Sequence, residues 1–237
     1  MTRLVARVTL AELARRRGAL ALTLLLPLSF FLVRLDTHWT ALRLLSMGLG
    51  WAVATLTLFT QVSARRLDRR LVVAGASPTS IHAGRHLAVL ALGWAVGLAY
   101  AGLAAVTIGQ DLHRPEAVTV MLLLTTAIAV PLGSLVASLV PHDLEGALAL
   151  LGIMAVQLLV DPADSWTRVL PLWSTRELAS YIVEPAAGAQ YLRDGLAHGA
   201  TYLLVLALMG SILGWRRLRP RRVPGVAPVA GAGVAEA

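Results

Sequence analysis

Few side chains in this sequence are equipped for chemistry, and their spacing limits what that chemistry is. His82 and His86 stand four residues apart and share a face if the segment is helical. A metal site on that pair needs at least one more ligand, and none is evident nearby, so two surface histidines are the simpler reading. His142, Asp143 and Glu145 form a short polar turn of the kind that begins a helix. Asp161 and Asp164 open a polar stretch, and Asp164 reads as the cap of a helix carrying Trp166 rather than as half of a carboxylate pair for acid–base catalysis. Cysteine is absent, which removes disulfides, thiolate metal sites and thiol nucleophiles. The 21 basic residues are all arginine, so a phosphate-cradling Gly-x-x-x-x-Gly-Lys-Ser/Thr loop is excluded. No catalytic residue, metal site or bound cofactor is expected on this chain.

The other polar groups must be positioned by long apolar blocks. The chain is 57% hydrophobic and 14% charged, against about 25% charged in soluble domains. Six stretches are long enough, or nearly so, to cross a bilayer as helices: Ala19–Val33, Leu44–Ala64, Leu87–Gly109, Ala117–Val140, Ala147–Val160 and Gly199–Gly214. None contains Asp, Glu, Arg or Lys. The first and fifth are short, and the fifth is alternatively part of a re-entrant segment. Inside the blocks the polar side chains are neutral: Thr55, Thr57, Thr60, Gln61 and Gln157 either line a path or dimer seam or bond to their own helix backbone. Gly93 and Gly97 form a small-xxx-small pair suited to close helix packing. Ion-coupled carriers use ionisable groups within the bilayer as relays. Without such groups, uphill movement of a solute needs energy from another chain.

The arginines set the orientation. The N-terminal arm, the segment 65–86, the turn 141–146 and the tail together hold 15 arginines and five acids; the alternate segments hold six arginines and eight acids. The positive-inside rule places the first set, with both termini, in the cytoplasm. The arginines cluster at the ends of spans, a placement for anionic headgroups and not for nucleic acid. Arginine without lysine, amid abundant Ala, Leu and Val, suggests a GC-rich bacterial genome. The first apolar block follows Arg15–Arg17 but lacks a prompt small-x-small cleavage site, so it is expected to stay as an anchor.

Three segments outside the spans carry pattern. Residues 1–17 read as an interfacial helix, with Leu4, Val8 and Ala11 on one face and Arg3 and Arg7 on another. Between the second and third spans, Arg65–Ala74 predicts a short helix stopped at Gly75, and Ser77 with Pro78 begins the next one as cap and first residue. The product is a compact cytoplasmic knob suited to another protein's cleft. In 161–198, Trp166, Leu170 and Trp173, then Leu178, Tyr181 and Ile182, predict two amphipathic pieces at the outer interface, broken by Pro171 and Pro185. Residues 223–237 lack periodicity and read as a disordered tail after a single domain, 1–222.

Taken together these features resemble the permease subunits of type-2 ABC exporters. Ser77-Pro78 is similar to the family's Thr/Ser-Pro, Gly84-Arg85 to its Gly-Lys, and Leu170-Pro171 to the element before its last amphipathic helix. Arg69 stands where the family has glycine, and arginines replace most of its preceding glutamates. The resemblance implies an all-α integral membrane protein of six spans, with an N-terminal interfacial helix and an outer re-entrant hairpin before the last span. It further implies two such chains, identical or homologous, above two separate ATPase subunits that bind ATP and Mg. The docking element would be Arg65, Arg66, Leu67, Asp68, Arg69, Arg70 and Leu71 with Ser77 and Pro78. The cargo would be drug-like or lipidic. Two other readings stand beside this one: the membrane subunit of the haem exporter of cytochrome c maturation, and a structural membrane protein without transport.

Overall fold

The computed structural model describes residues 1–160 and 164–218, and the predicted tail lies outside them. Among the described residues every regular element is helical: α1 (Thr2–Arg15), α2 (Arg17–Leu32), α3 (His38–Val73), α4 (Pro78–Thr107), α5 (Glu116–Leu139), α6 (Asp143–Leu159), α7 (Ser174–Val183) and α8 (Ala189–Leu218), with 3-10 turns at Gly109–Asp111 and Ser165–Val169. Among the described residues four helices are long and apolar enough to cross a membrane: His38–Val73, Pro78–Thr107, Glu116–Leu139 and Ala189–Gly214. The chain is thus a membrane-type helical protein. α2 and α6 are shorter, at 16 and 17 residues.

Side-chain neighbours give each helix a direction. Arg16 reaches Ser63, while Pro27 and Phe30 abut Gly48, so α2 runs antiparallel to α3. Gly93 of α4 faces Val53 and Gly97 faces Leu49, again antiparallel. Gly133 of α5 abuts Ala54 and Thr57, whereas Thr125 stands by Gly50, so α5 runs parallel to α3. Gly146 of α6 meets Leu58 and Gln157 meets Arg43, which is antiparallel. Along α8, Gly199 faces Leu124 and Gly210 faces Ser134, which makes α8 parallel to α5. Helices α3, α5 and α8 therefore point one way, and α2, α4 and α6 the other.

α3 and α5 form the centre. The most apolar stretch of α3 is 78% buried inside the protein, and that of α8 only 17%. Leu204, Leu208 and Ile212 of α8 and Leu148 and Leu151 of α6 lie exposed, a surface that fits lipid rather than water. Glycines allow the close approaches. A Cβ at Gly133 would collide with the Ala54 carbonyl, and one at Gly48 would stand 2.9 Å from the Phe30 ring and 3.1 Å from Pro27 Cα. A Cβ at Gly93 would stand 3.3 Å from Val53, which gives the expected small-residue pair its packing role.

α1 lies at the Arg-rich end. It turns Val5, Thr9 and Leu13 toward the protein, against the start of α4 at Gly84, and leaves Leu4 and Val8 exposed. At the opposite end, Leu172 sits at the level of Gly50 and Thr125, about 13 Å along α5 by helical rise. α7 then climbs outward until the Ile182 carbonyl accepts the His113 and Arg114 N–H groups at 3.0 and 3.1 Å, beside the start of α5. Only Ser165–Val169 of the expected Trp166 piece is helical, as a 3-10 turn. Asp164 heads it with its backbone carbonyl and not its side chain.

Candidate functional site: the basic arm and the polar cluster above it

The predicted docking segment is not a separate helix. α3 continues through Arg65 to Val73 without a break, since arginine and leucine are good helix formers and nothing before Gly75 interrupts them. The stop falls where expected. Gly75 has φ +93°, the Gly75 N–H donates to Val72 O at 3.0 Å, and the Ala76 N–H to Leu71 O at 2.9 Å. These two bonds close the helix in a Schellman arrangement that favours glycine. α4 then starts at Pro78 with Ser77 as its N-cap residue. The Ser77 hydroxyl pairs with that of Thr79 at 2.6 Å and leaves the backbone uncapped.

Side chains divide along this arm. Arg66, Leu67, Arg69 and Arg70 are exposed, Arg65 and Leu71 are half-buried, and Asp68 is buried. Asp68 therefore faces the protein and is unavailable to a partner. Its carboxylate takes both ends of the Arg85 guanidinium, at 2.5 Å from Nη2 and 3.2 Å from Nε. The two side chains are 10% and 7% exposed. A bidentate pair of this kind locks the arm of α3 to the first turns of α4. Arg65 reaches the other way and donates to the carbonyls of Pro141, Ala137 and Val140 at 2.5, 2.6 and 2.7 Å. The Ala137 and Val140 carbonyls lie at the C-terminal end of α5, where a cation is favoured, and Pro141 follows just beyond it. The arm is thus braced against two helices, with its basic face turned outward.

One turn deeper, α3, α4, α5 and α8 meet around a polar cluster. Gln61 Nε2 lies 3.3 Å from His86 Nε2, and the Ser134 hydroxyl donates to Gln61 Oε1 at 3.2 Å. The His82 and His86 rings pack edge to face with centroids 4.0 Å apart. Gly214 adjoins His82, and Gly210 adjoins Ser134. The two histidines are therefore not free surface groups, because the face they share points into the bundle. Among the described residues no set of three His, Cys, Asp or Glu side chains is placed to hold a metal ion.

The remaining candidate path residues separate. Thr57 and Thr60 donate to Val53 O and Leu56 O of their own helix at 2.8 and 2.7 Å. Thr55 is buried with no partner for its hydroxyl. Gln157 lies far from these, at the opposite end of the bundle, where Oε1 accepts the Leu172 N–H at 2.8 Å and its carbonyl accepts from Arg43 at 2.8 Å. It therefore ties α6 to the segment before α7. The five do not line one continuous surface. Sequence reading named Arg85 only within the Gly84-Arg85 motif, did not pair it with Asp68, and missed Ser134: the partner of Asp68 is 17 positions away and that of Gln61 is 73, so no local spacing connects them. No protein-family model matches the sequence, and no curated protein is similar to it.

Proposed function

We propose that this chain is the membrane-spanning permease subunit of an ATP-binding-cassette exporter. It moves drug-like or lipidic molecules outward through the plasma membrane, with ATP hydrolysis on two separate subunits. A second permease chain, identical or homologous, completes the assembly. The observation that carries the reading is the braced arm. α3 runs unbroken from the bundle into a basic extension that ends on the Gly75 turn, and Arg65 and the Asp68–Arg85 pair tie that extension to α5 and α4. A force applied to Arg66, Leu67, Arg69 and Arg70 would move three helices together, as an external motor requires.

In this reading the six alternating helical runs are six membrane crossings with both ends cytoplasmic. Support comes from the parallel course of α5 and α8: the chain between them must return across the same thickness, and α6 makes that return beside α3. α2 and α6 then borrow flanking residues to reach the interfaces. The segment from Leu172 through α7 acts as a re-entrant hairpin on the outer side, and α1 as the interfacial helix on the inner side. The test is purification of the tagged chain from its native membrane. A P-loop ATPase is expected at near-equal stoichiometry; its absence under conditions that retain the second permease chain contradicts the proposal.

A further inference from the structure

Helix α1 presents a different kind of side chain on each of three faces. Val5, Thr9 and Leu13 point into the protein and are buried. Val5 seats the helix on α4, where a Cβ at Gly84 would stand 2.8 Å from the Val5 Cβ. The outward surface, set by the 3.6-residue period, divides into two stripes. Leu4 and Val8, 59% and 55% exposed, make an apolar one. Arg3 and Arg7, both exposed, make a basic one about 100° around the helix. The helix then ends at a corner. Glu12, its only acid, is taken by Arg16 at 2.5 Å, and Arg16 also reaches Ser63 of α3. Arg15 and Arg17 stand exposed on either side of that anchor, where α1 stops and α2 begins. Among the described residues Arg3, Arg7, Arg15 and Arg17 form no ion pair. Four unbalanced guanidiniums therefore lie along one short helix and its exit, beside apolar side chains that gain by leaving water. A soluble acidic partner or a nucleic acid would answer the arginines and leave Leu4 and Val8 in water. A phospholipid with a net negative headgroup answers both stripes at once.

We propose that α1 and the α1–α2 corner form a docking surface for anionic phospholipid, selected over zwitterionic lipid, in the leaflet at the Arg-rich end of the bundle. Leu4 and Val8 enter the upper acyl region, and the four arginines hold phosphates at headgroup level. Each arginine contributes about fivefold to the attraction toward an anionic surface. The inference rests on the membrane placement of the bundle and not on the exporter assignment, and it holds with or without an ATPase partner.

The test is lipid-selective quenching of a fluorophore on α1. The chain has no cysteine, so Val8→Cys in the full-length protein takes a single thiol-reactive label. The labelled chain is reconstituted into phosphatidylcholine vesicles in which a fixed minor fraction of the lipid is brominated phosphatidylglycerol or brominated phosphatidylcholine. At Val8 the anionic quencher is expected to act about fivefold more efficiently than the zwitterionic one. Arg3→Gln with Arg7→Gln is expected to bring the two toward equality, and about 1 M salt to do the same. Both substitutions precede the first span, and the same label at Leu208→Cys of α8, 63% exposed, reports whether the bundle remains in lipid. There the two quenchers are expected to act equally. Equal quenching at Val8, a preference that survives both the double substitution and high salt, or the same preference at Leu208 overturns the proposal. Quenching at Leu208 but by neither lipid at Val8 also overturns it and shows α1 turned to water or to another protein. Quenching at neither position contradicts the membrane placement on which the proposal rests.

Discussion

The Asp68–Arg85 pair shows how a residue's type and its role diverge. Read along the chain, Asp68 is one acid among exposed arginines; in the fold it is the buried end of a brace. Removing one partner of a buried pair leaves the other charge uncompensated, so Asp68→Ala is expected to cost about 3–5 kcal/mol of stability. Asp68→Ala with Arg85→Met removes both charges and is expected to regain most of that loss. Thermal unfolding of the two variants in detergent checks this, and equal melting temperatures for both would show that the pair braces nothing. Glycines give a matched contrast. Gly133→Ala drives a Cβ into the Ala54 carbonyl and is expected to cost about 1–3 kcal/mol, whereas Gly102→Ala meets nothing within 4 Å and is expected to be neutral or slightly stabilising.

At the scale of elements, the direction of α6 is the deciding feature, because it is what lets α5 and α8 run parallel. The chain has no cysteine, so single introduced thiols report without background. Leu144→Cys, 72% exposed at the start of α6, is expected to react with an impermeant maleimide only after the cytoplasmic side is opened. Trp166→Cys, 49% exposed, is expected to react in intact cells. Labelling of both from the same side would place α6 wholly on one face of the membrane. Much of this layer was legible in the sequence. Apolar runs located the helices, Gly75 ended α3, and Pro78 began α4. The length of α3 was not, because hydropathy falls at Arg65 while helix propensity does not: the end of an apolar block marks a membrane surface and not the end of a helix. The orientation of His82 and His86 was likewise hidden. Their spacing shows that they share a face, and only the packing of Gln61 and Gly214 shows which way it points.

For the whole molecule, the proposed function makes the bundle a passive body and the basic arm its handle. The described interior holds threonines, glutamines and a histidine pair, while the arm is basic and braced against α4 and α5. Under the proposed function, charge at the arm, more than shape, would give a partner its purchase: Arg66, Arg69 and Arg70 flank the exposed Leu67. The most direct test is site-specific photo-crosslinking from Leu67, which is 52% exposed at the centre of that face, in native membranes. An adduct between this chain and a P-loop ATPase is expected from a photoreactive residue at Leu67, and none with it from the same residue at Trp166 on the opposite side. An adduct from Leu67 with a protein that lacks a P-loop, or no adduct while the chain remains inserted and folded, would contradict it.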